Sequence, residues 1–356
     1  MNSSFWQNLA KPIIGLSPMD GVTDQPFRHI QKKYGNPDLV YTEFTNVEGV
    51  CHGASRLLED FLFDQTQRPI VAQVYGTTPD FFRQTAIVLC ELGFDGIDIN
   101  MGCPAKNVAH AGAGAALINN PQLAQKIITE TKAGVQDWLN GKSAQDCSDI
   151  VPKIWQEVEA RHQQLPVEYQ QRRNIPVTVK TRIGYDQKVA ADWAKILLEV
   201  EPAVIAFHGR TLKQQYSGQA DWDEIARAAE VIHQSSDILV FGNGDVKNLE
   251  QAQQKTNQYG VDGVLIGRAS FGNPFVFKPA ADPAQQTNRF QIALEHARLF
   301  EKTYGDHPKF NFLPMRKHLG WYVKEVPFAR QIRVELFQTN NANEVETILE
   351  KYQLLD

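Results

Sequence analysis

Eight short runs rich in β-branched and aliphatic residues recur along the chain, each followed by a stretch of helical spacing: IIGLS (13–17), LVYTE (39–43), IVAQVYG (70–76), GIDIN (96–100), VTVKTR (177–182), AVIAFHG (203–209), ILVFGN (238–243) and GVLIG (263–267). Near-continuous apolar strands alternating with helices are the pattern of parallel strands covered on both faces. Eight of them predict an α/β protein of the closed (β/α)8 TIM-barrel class. An open doubly wound sheet is the alternative, and the lack of an early GxGxxG turn counts against its dinucleotide-binding form. Most successive runs begin roughly 25–35 residues apart, the span of a βα unit, whereas the fourth and fifth begin at Gly96 and Val177. A helical insert is therefore expected at about 138–174. After Pro279 the pattern is helical only, so a barrel over 1–278 and a small all-helical domain over 288–356 are expected, joined by the linker KPAADPAQQT.

Composition adds limits to this picture. The chain of 356 residues carries a net charge of −5, with 42% hydrophobic and 22% charged residues, which is the profile of an ordinary globular protein. Its four cysteines (Cys51, Cys90, Cys103, Cys147) show neither CxxC pairing nor metal-finger spacing. No metal site and no disulfide framework are expected, and a reducing, cytoplasmic setting is the default. No leader pattern opens the sequence, and no run approaches the eighteen or so apolar residues of a membrane span, so no membrane association is expected.

Charge is uneven. Between His307 and Arg333 lie Lys309, Arg316, Lys317, Lys324, Arg330 and Arg333 against one acid, Glu325, with Phe310, Phe312, Trp321 and Tyr322 interleaved. This local cationic stretch reads either as a nucleic-acid docking face or as a solvated helix surface over its own aromatic core.

Barrel active sites sit at the C-terminal strand ends, and here nearly every run ends in polar residues. They are Ser17, Pro18, Met19 and Asp20 after the first run, Gln73 in the third, Asn100 with Cys103 after the fourth, Lys180 and Arg182 in the fifth, and His208 in the sixth. Runs seven and eight end in Gly242-Asn243-Gly244-Asp245 and Gly267-Arg268. Loops at these two positions form the common phosphate site of barrels, so a phosphorylated ligand is expected; the plainer reading is tight turns. Lys180 could be a Schiff-base nucleophile, a partner for an acid, or a fixed cation beside a cofactor ring. His208 could hold a ligand or satisfy a buried neighbour. Cys103, in a Gly/Pro-flanked loop, reads as a small core residue or as a proton donor, since an ordinary thiol is mostly protonated at neutral pH.

Taken together, SPMDGVTDQPFR (17–28), TEF (42–44), QVYG (73–76), GIDINMGCPAKNV (96–108), GAGAALI (112–118), VKTRIGYD (179–186), HGRT (208–211), YSGQADW (216–222), GNGD (242–245) and DGVLIGRASFGNP (262–274) resemble the tRNA-dihydrouridine synthases. MRKHLGWYVKEVP (315–327) is similar to the C-terminal helical domain of their bacterial branch. The resemblance implies an enzyme that binds tRNA and reduces the 5,6 double bond of particular uridines, with FMN as cofactor and NADPH as reductant. It implies that Pro18, Met19 and Asp20 lie along the flavin, that Gln73 meets its pyrimidine edge, and that Lys180 sits near N1 and O2. His208, Asn243, Gly244, Asp245, Gly267 and Arg268 then hold the ribityl phosphate region. Cys103 matches the donor of a proton to uracil C5, opposite hydride transfer from flavin N5 to C6, and Asn100 and Arg182 match positions that hold the uracil. Arg316, Lys317 and Lys324 fall in the tail expected to dock tRNA. Such a reaction needs the base flipped out of the RNA stack. The insert at 138–174 departs from the family pattern and could alter the RNA path. The rival readings are a flavin barrel acting on a free pyrimidine or other small molecule, and a non-catalytic RNA-binding barrel.

Overall fold

The computed structural model describes residues 5–307 and 310–355, with the backbone alone for Lys106 and Asn107; Lys309 of the cationic stretch lies outside the described residues. Among them, eight parallel strands follow the eight apolar runs: β1 (Ile13–Leu16), β2 (Val40–Asn46), β3 (Ile70–Tyr75), β4 (Gly96–Met101), β5 (Val177–Arg182), β6 (Val204–His208), β7 (Leu239–Asn243) and β8 (Gly263–Ile266). Each pairs with its neighbour in sequence from β2 through β8, and β8 pairs with β1. The ring closes between β1 and β2 through Leu16 N–H to Leu39 O (3.0 Å) and Asp38 N–H to Ile14 O (2.9 Å). Closure leaves no open sheet edge, which is the usual barrel solution to unpaired backbone.

Ile13, Leu39, Tyr41, Val71, Val204, Ala206, Phe241 and Leu265 fill the barrel interior, with Trp6 packed edge-on to Phe241 (5.5 Å). The larger apolar cluster lies between the strands and the surrounding helices. These helices include α1 (Gln25–Ile30), α2 (Pro79–Glu91), α3 (Pro121–Leu139), α4 (Pro152–Gln163), α5 (Ala190–Leu198), α6 (Trp222–His233) and α7 (Leu249–Tyr259). Their starts follow local chemistry: Asp24, Asn120, Asp221 and Asn248 accept backbone N–H groups as caps on α1, α3, α6 and α7. Close packing of α2 on α3 requires glycine at position 134, because a Cβ there would stand 2.1 Å from the Arg83 carbonyl oxygen.

The insert occupies the outer flank, its helix α4 lying beyond the end of α3. Ile150, Ile154 and Val158 are buried in the main core. Asp149 and Gln84 of α2 exchange hydrogen bonds (2.9 and 2.7 Å), and Arg161 donates to Leu58 O (2.8 Å). At the base of the barrel Arg173 donates to Gly93 O (2.9 Å) and Phe94 O (2.8 Å) and pairs with buried Asp95, which also pairs with Arg68 (2.8 Å). No residue of 138–174 lines the mouth of the barrel.

Beyond Asn288, which caps the next helix, come α8 (Arg289–Tyr304), α9 (Leu313–Tyr322), α10 (Ala329–Leu336) and α11 (Ala342–Lys351). Their apolar faces form a second core that takes in Ile30 and Phe275 from the barrel side, so the helical unit is packed onto the barrel. Trp321 stacks on Phe271 at 4.0 Å across this seam. No helix among the described residues is long and apolar enough to cross a membrane.

Candidate active site

The C-terminal ends of the strands surround a cavity of about 1170 Å³. That exceeds the usual range for one small ligand, roughly 300–1,000 Å³, and leaves room for two stacked rings. All fourteen barrel residues singled out in the sequence line it: Pro18, Met19, Asp20, Gln73, Asn100, Cys103, Lys180, Arg182, His208, Asn243, Gly244, Asp245, Gly267 and Arg268. Strand register brings them level, with Asn100 opposite Lys180, Arg182 opposite His208, and His208 opposite Asn243.

The floor is a hydrogen-bonded chain. Thr178 Oγ1 and Gln73 Nε2 each donate to the Asp98 carboxylate at 2.6 Å, and Asn100 Nδ2 donates to Gln73 Oε1 at 2.9 Å. Asn100 Oδ1 in turn accepts the N–H groups of Gly102 (3.0 Å) and Cys103 (2.8 Å). Asn100 thus spends most of its amide on the cysteine loop and keeps one N–H for a ligand. Arg182 adds a second brace, donating to Gly102 O (2.7 Å) and Thr211 O (3.0 Å).

Cys103 is buried against Val108 and Ala113, beside the edge-to-face pair Phe44 and Tyr75 (4.9 Å). Burial raises its thiol pKa above the ordinary value, so the site holds a protonated sulfur. Burial, with Arg182 nearby, lowers the Lys180 ammonium to about 8, and its Nζ donates to Asn243 Oδ1 (3.3 Å). His208 is pushed well below its usual range by burial and by Lys180, which makes it a neutral ring at physiological pH.

Around the phosphate loops Asp245 is a tether. It accepts from Arg210 Nη2 (2.6 Å), Ala220 N–H (2.8 Å) and Arg268 Nη2 (3.0 Å), joining the loops after β6, β7 and β8. Its carboxylate therefore holds the Arg268 guanidinium in place at the mouth. Gly244 needs its positive φ of 130°, and a Cβ there would meet Ala220 Cβ at 2.6 Å and the His208 ring at 3.2 Å. At Gly267 a Cβ would stand 3.3 Å from the Met19 sulfur. Glycine at these two positions keeps the space between the loops open.

The tail cations sit elsewhere. Arg316 is turned into its own domain, donating to Thr339 O (2.8 Å) and Asn340 Oδ1 (2.9 Å). Lys317 donates to Gly21 O in the β1 loop, and Lys324 to Phe271 O (3.0 Å) beyond β8. None of the three lines the cavity. At these positions the side chains act as clamps within the helical domain or across its seam, each donating to a backbone carbonyl.

Phe44, Tyr216, Lys247 and Lys255, to which the sequence assigns no role, also line the cavity. Phe44 enters because β2 carries an irregularity between Tyr41 and Phe44, which moves Phe44 opposite Gln73. Tyr216, exposed on the loop after β6, lies under Arg268 (5.1 Å), and Lys247 and Lys255 line the outer wall. Tyr216 opens the YSGQADW motif, a signal that was available. No group of three or more His, Cys, Asp or Glu among the described residues is arranged to hold a metal ion.

A closed parallel barrel with a buried thiol, a buried lysine and paired glycine loops at one mouth defines a (β/α)8 protein whose polar side chains gather at the C-terminal strand ends. The chain belongs to the dihydrouridine synthase family, whose model matches residues 15–142 and 158–355 and skips 143–157 within the insert. It is 32% identical over 360 residues to a probable tRNA-dihydrouridine synthase of Staphylococcus epidermidis, covering 99% of this chain and 97% of the relative. It is 30% identical over 357 residues to probable tRNA-dihydrouridine synthase 2 of Bacillus subtilis, covering 99% and 98%. Among solved structures, dihydroorotate dehydrogenase (DHODH) from Eimeria tenella aligns over 82% of this chain and 81% of its own at 11% identity, with a TM-score of 0.49. Histamine dehydrogenase from a Rhizobium aligns over 82% and 48%, also at 11% identity, with a TM-score of 0.48.

Proposed function

We propose that this protein reduces specific uridines of tRNA to 5,6-dihydrouridine in the cytoplasm, using FMN as cofactor and NADPH as reductant. The observation that carries the reading is the placement of one buried, protonated thiol, Cys103, in the same cavity as Lys180 and the two phosphate loops. FMN bound at this site supplies the hydride that reaches uracil C6, and NADPH restores it.

The chain's own residues supply the rest. Gly244, Gly267 and Arg268 receive the cofactor phosphate, with Asp245 fixing Arg268. Pro18, Met19 and Asp20 wall the ring, Gln73 meets its pyrimidine edge with the one amide hydrogen and the lone pair that Asp98 and Asn100 leave free, and neutral His208 and Asn243 line the ribityl side. Lys180 would offer a positive charge to the negative charge that a bound flavin gathers on reduction. Asn100 and Arg182 hold the flipped uracil. Cys103 gives its proton to C5, and the thiolate takes another from solvent. Lys317 and Lys324, each with N–H donors beyond its seam contact, meet tRNA phosphates as the RNA crosses from the mouth to the helical domain over 288–356; Arg316 supports that surface from within.

The test is a purified, yellow protein incubated with NADPH and tRNA lacking dihydrouridine. Dihydrouridine in the digested tRNA supports the reading. Reduction of free uracil or another small molecule, with none in tRNA, would replace it with the small-molecule alternative.

A further inference from the structure

Asp98 lies inside β4, one layer below the mouth, at 1% exposure. It does not line the cavity, yet the hydrogen-bond chain of the cavity floor ends on it. Its two oxygens accept from Thr178 and Gln73, each at 2.6 Å, and Gln73 passes the chain through Asn100 to the Cys103 loop. A carboxylate accepts and does not donate, so Gln73 must turn its Nε2 down and its Oε1 toward Asn100. The backbone N–H groups of Gly102 and Cys103 impose the same direction from the other end, since Asn100 must offer them an oxygen. On the adjacent strand Asp98 pairs with Thr178, two residues from Lys180 on the same face of β5. A buried acid and a buried ammonium at that spacing compensate each other's lost hydration.

We infer that Asp98 is a positioning residue of this site: it is the base of the hydrogen-bond chain that holds Gln73, Asn100 and the Cys103 loop, and it is the counter-ion of Lys180. This deepens the proposed reaction, on which its catalytic part rests. Other groups bear on the pair. Lys180 is faced by Arg182 on its own strand and by Cys103, His208 and Asn243, while Tyr41 of β2 faces Asp98. Arg182 disfavours the Lys180 charge, and Asp98 favours it.

Asp98→Asn keeps the shape and an acceptor for Gln73 but removes the charge, whereas Asp98→Ala removes both. The charge is read by nuclear magnetic resonance of the Lys180 ammonium in the full chain, with and without FMN. Burial lowers the Lys180 ammonium to about 8, and in Asp98→Asn its titration is expected at least about one unit below the value measured for the parent protein. An unmoved or raised titration overturns the counter-ion role. The chain is read in single turnover, mixing flavin-reduced enzyme with tRNA. Asp98→Ala should slow this step roughly ten-fold or more relative to Asp98→Asn, with FMN still bound; equal rates overturn the chain. If Asp98→Ala does not fold, Thr178→Val replaces it, with the same expectation and the same overturning result. A parent protein that shows the Lys180 shift but makes no dihydrouridine leaves the counter-ion assignment standing and removes the proposed reaction instead.

Discussion

Asn100 carries the backbone of Cys103: its side-chain oxygen accepts the Cys103 N–H at 2.8 Å and the Gly102 N–H at 3.0 Å. Asn100→Ala strands both donors in a buried site, which costs about 1–3 kcal/mol each when nothing replaces the acceptor. The variant should melt several degrees lower. FMN content should remain near normal while the tRNA step slows about ten-fold or more, because the thiol loses its fixed position. Stopped-flow reoxidation of the reduced enzyme by tRNA checks this.

Cys103 itself gives a sharper expectation. Burial raises its pKa, so the acid form persists above the pH at which an ordinary thiol ionises. The uridine-reducing step should stay flat through neutral pH and fall only above the ordinary thiol range. Cys103→Ala should lose about 10²–10⁴ in that step while NADPH oxidation changes less than about two-fold. A structural cysteine would instead lose flavin with the mutation.

Lys317 and Lys324 combine a seam contact with proposed phosphate contacts. Lys317→Met with Lys324→Met should weaken tRNA binding and reduce the salt dependence of log K by about two phosphate contacts' worth, roughly 1.5–2 in slope. Arg316→Ala, whose partners are all within its own domain, should lower the melting temperature and leave that slope unchanged. Filter binding over a salt series separates the two effects.

Much of this was legible in the sequence because barrel strands announce themselves. IIGL and VIAF are apolar without interruption, being covered on both faces, and polar residues such as Gln73 and His208 appear toward the ends where the strands emerge. Asp98 was passed over because GIDIN reads as strand, and only the register with β3 and β5 shows that its carboxylate anchors the floor. Phe44 depended on the irregularity in β2, which is a property of the pairing with β3. The tail cations looked free because their partners, Gly21, Phe271 and Thr339, are distant in sequence or on another element. The flank position of the insert likewise follows from tertiary pairs such as Gln84 with Asp149.

Glu43 makes a prediction about stability. Burial, together with Asp24 and Asp60, raises its pKa to about 8, against about 4.3 in an unfolded chain. Between these values the folded state holds a proton that the unfolded state has released. This contribution is therefore complete below about pH 4 and is lost as pH rises through 8. Glu43→Gln should reduce the fall in melting temperature between pH 5 and pH 8 by a few degrees. Identical pH dependence in parent and variant would contradict the burial argument.

The central claim is that the Cys103 cavity reduces uridine in tRNA, and nucleoside analysis of tRNA tests it directly. Cells lacking the gene are complemented with the parent protein or with Cys103→Ala, and their tRNA is digested and assayed for dihydrouridine. The account predicts that the parent restores dihydrouridine at one or more positions and that Cys103→Ala, present at equal level and carrying FMN, does not. Equal restoration by both would contradict the role of the thiol, and no change in dihydrouridine when the gene is removed or restored would contradict the claim itself.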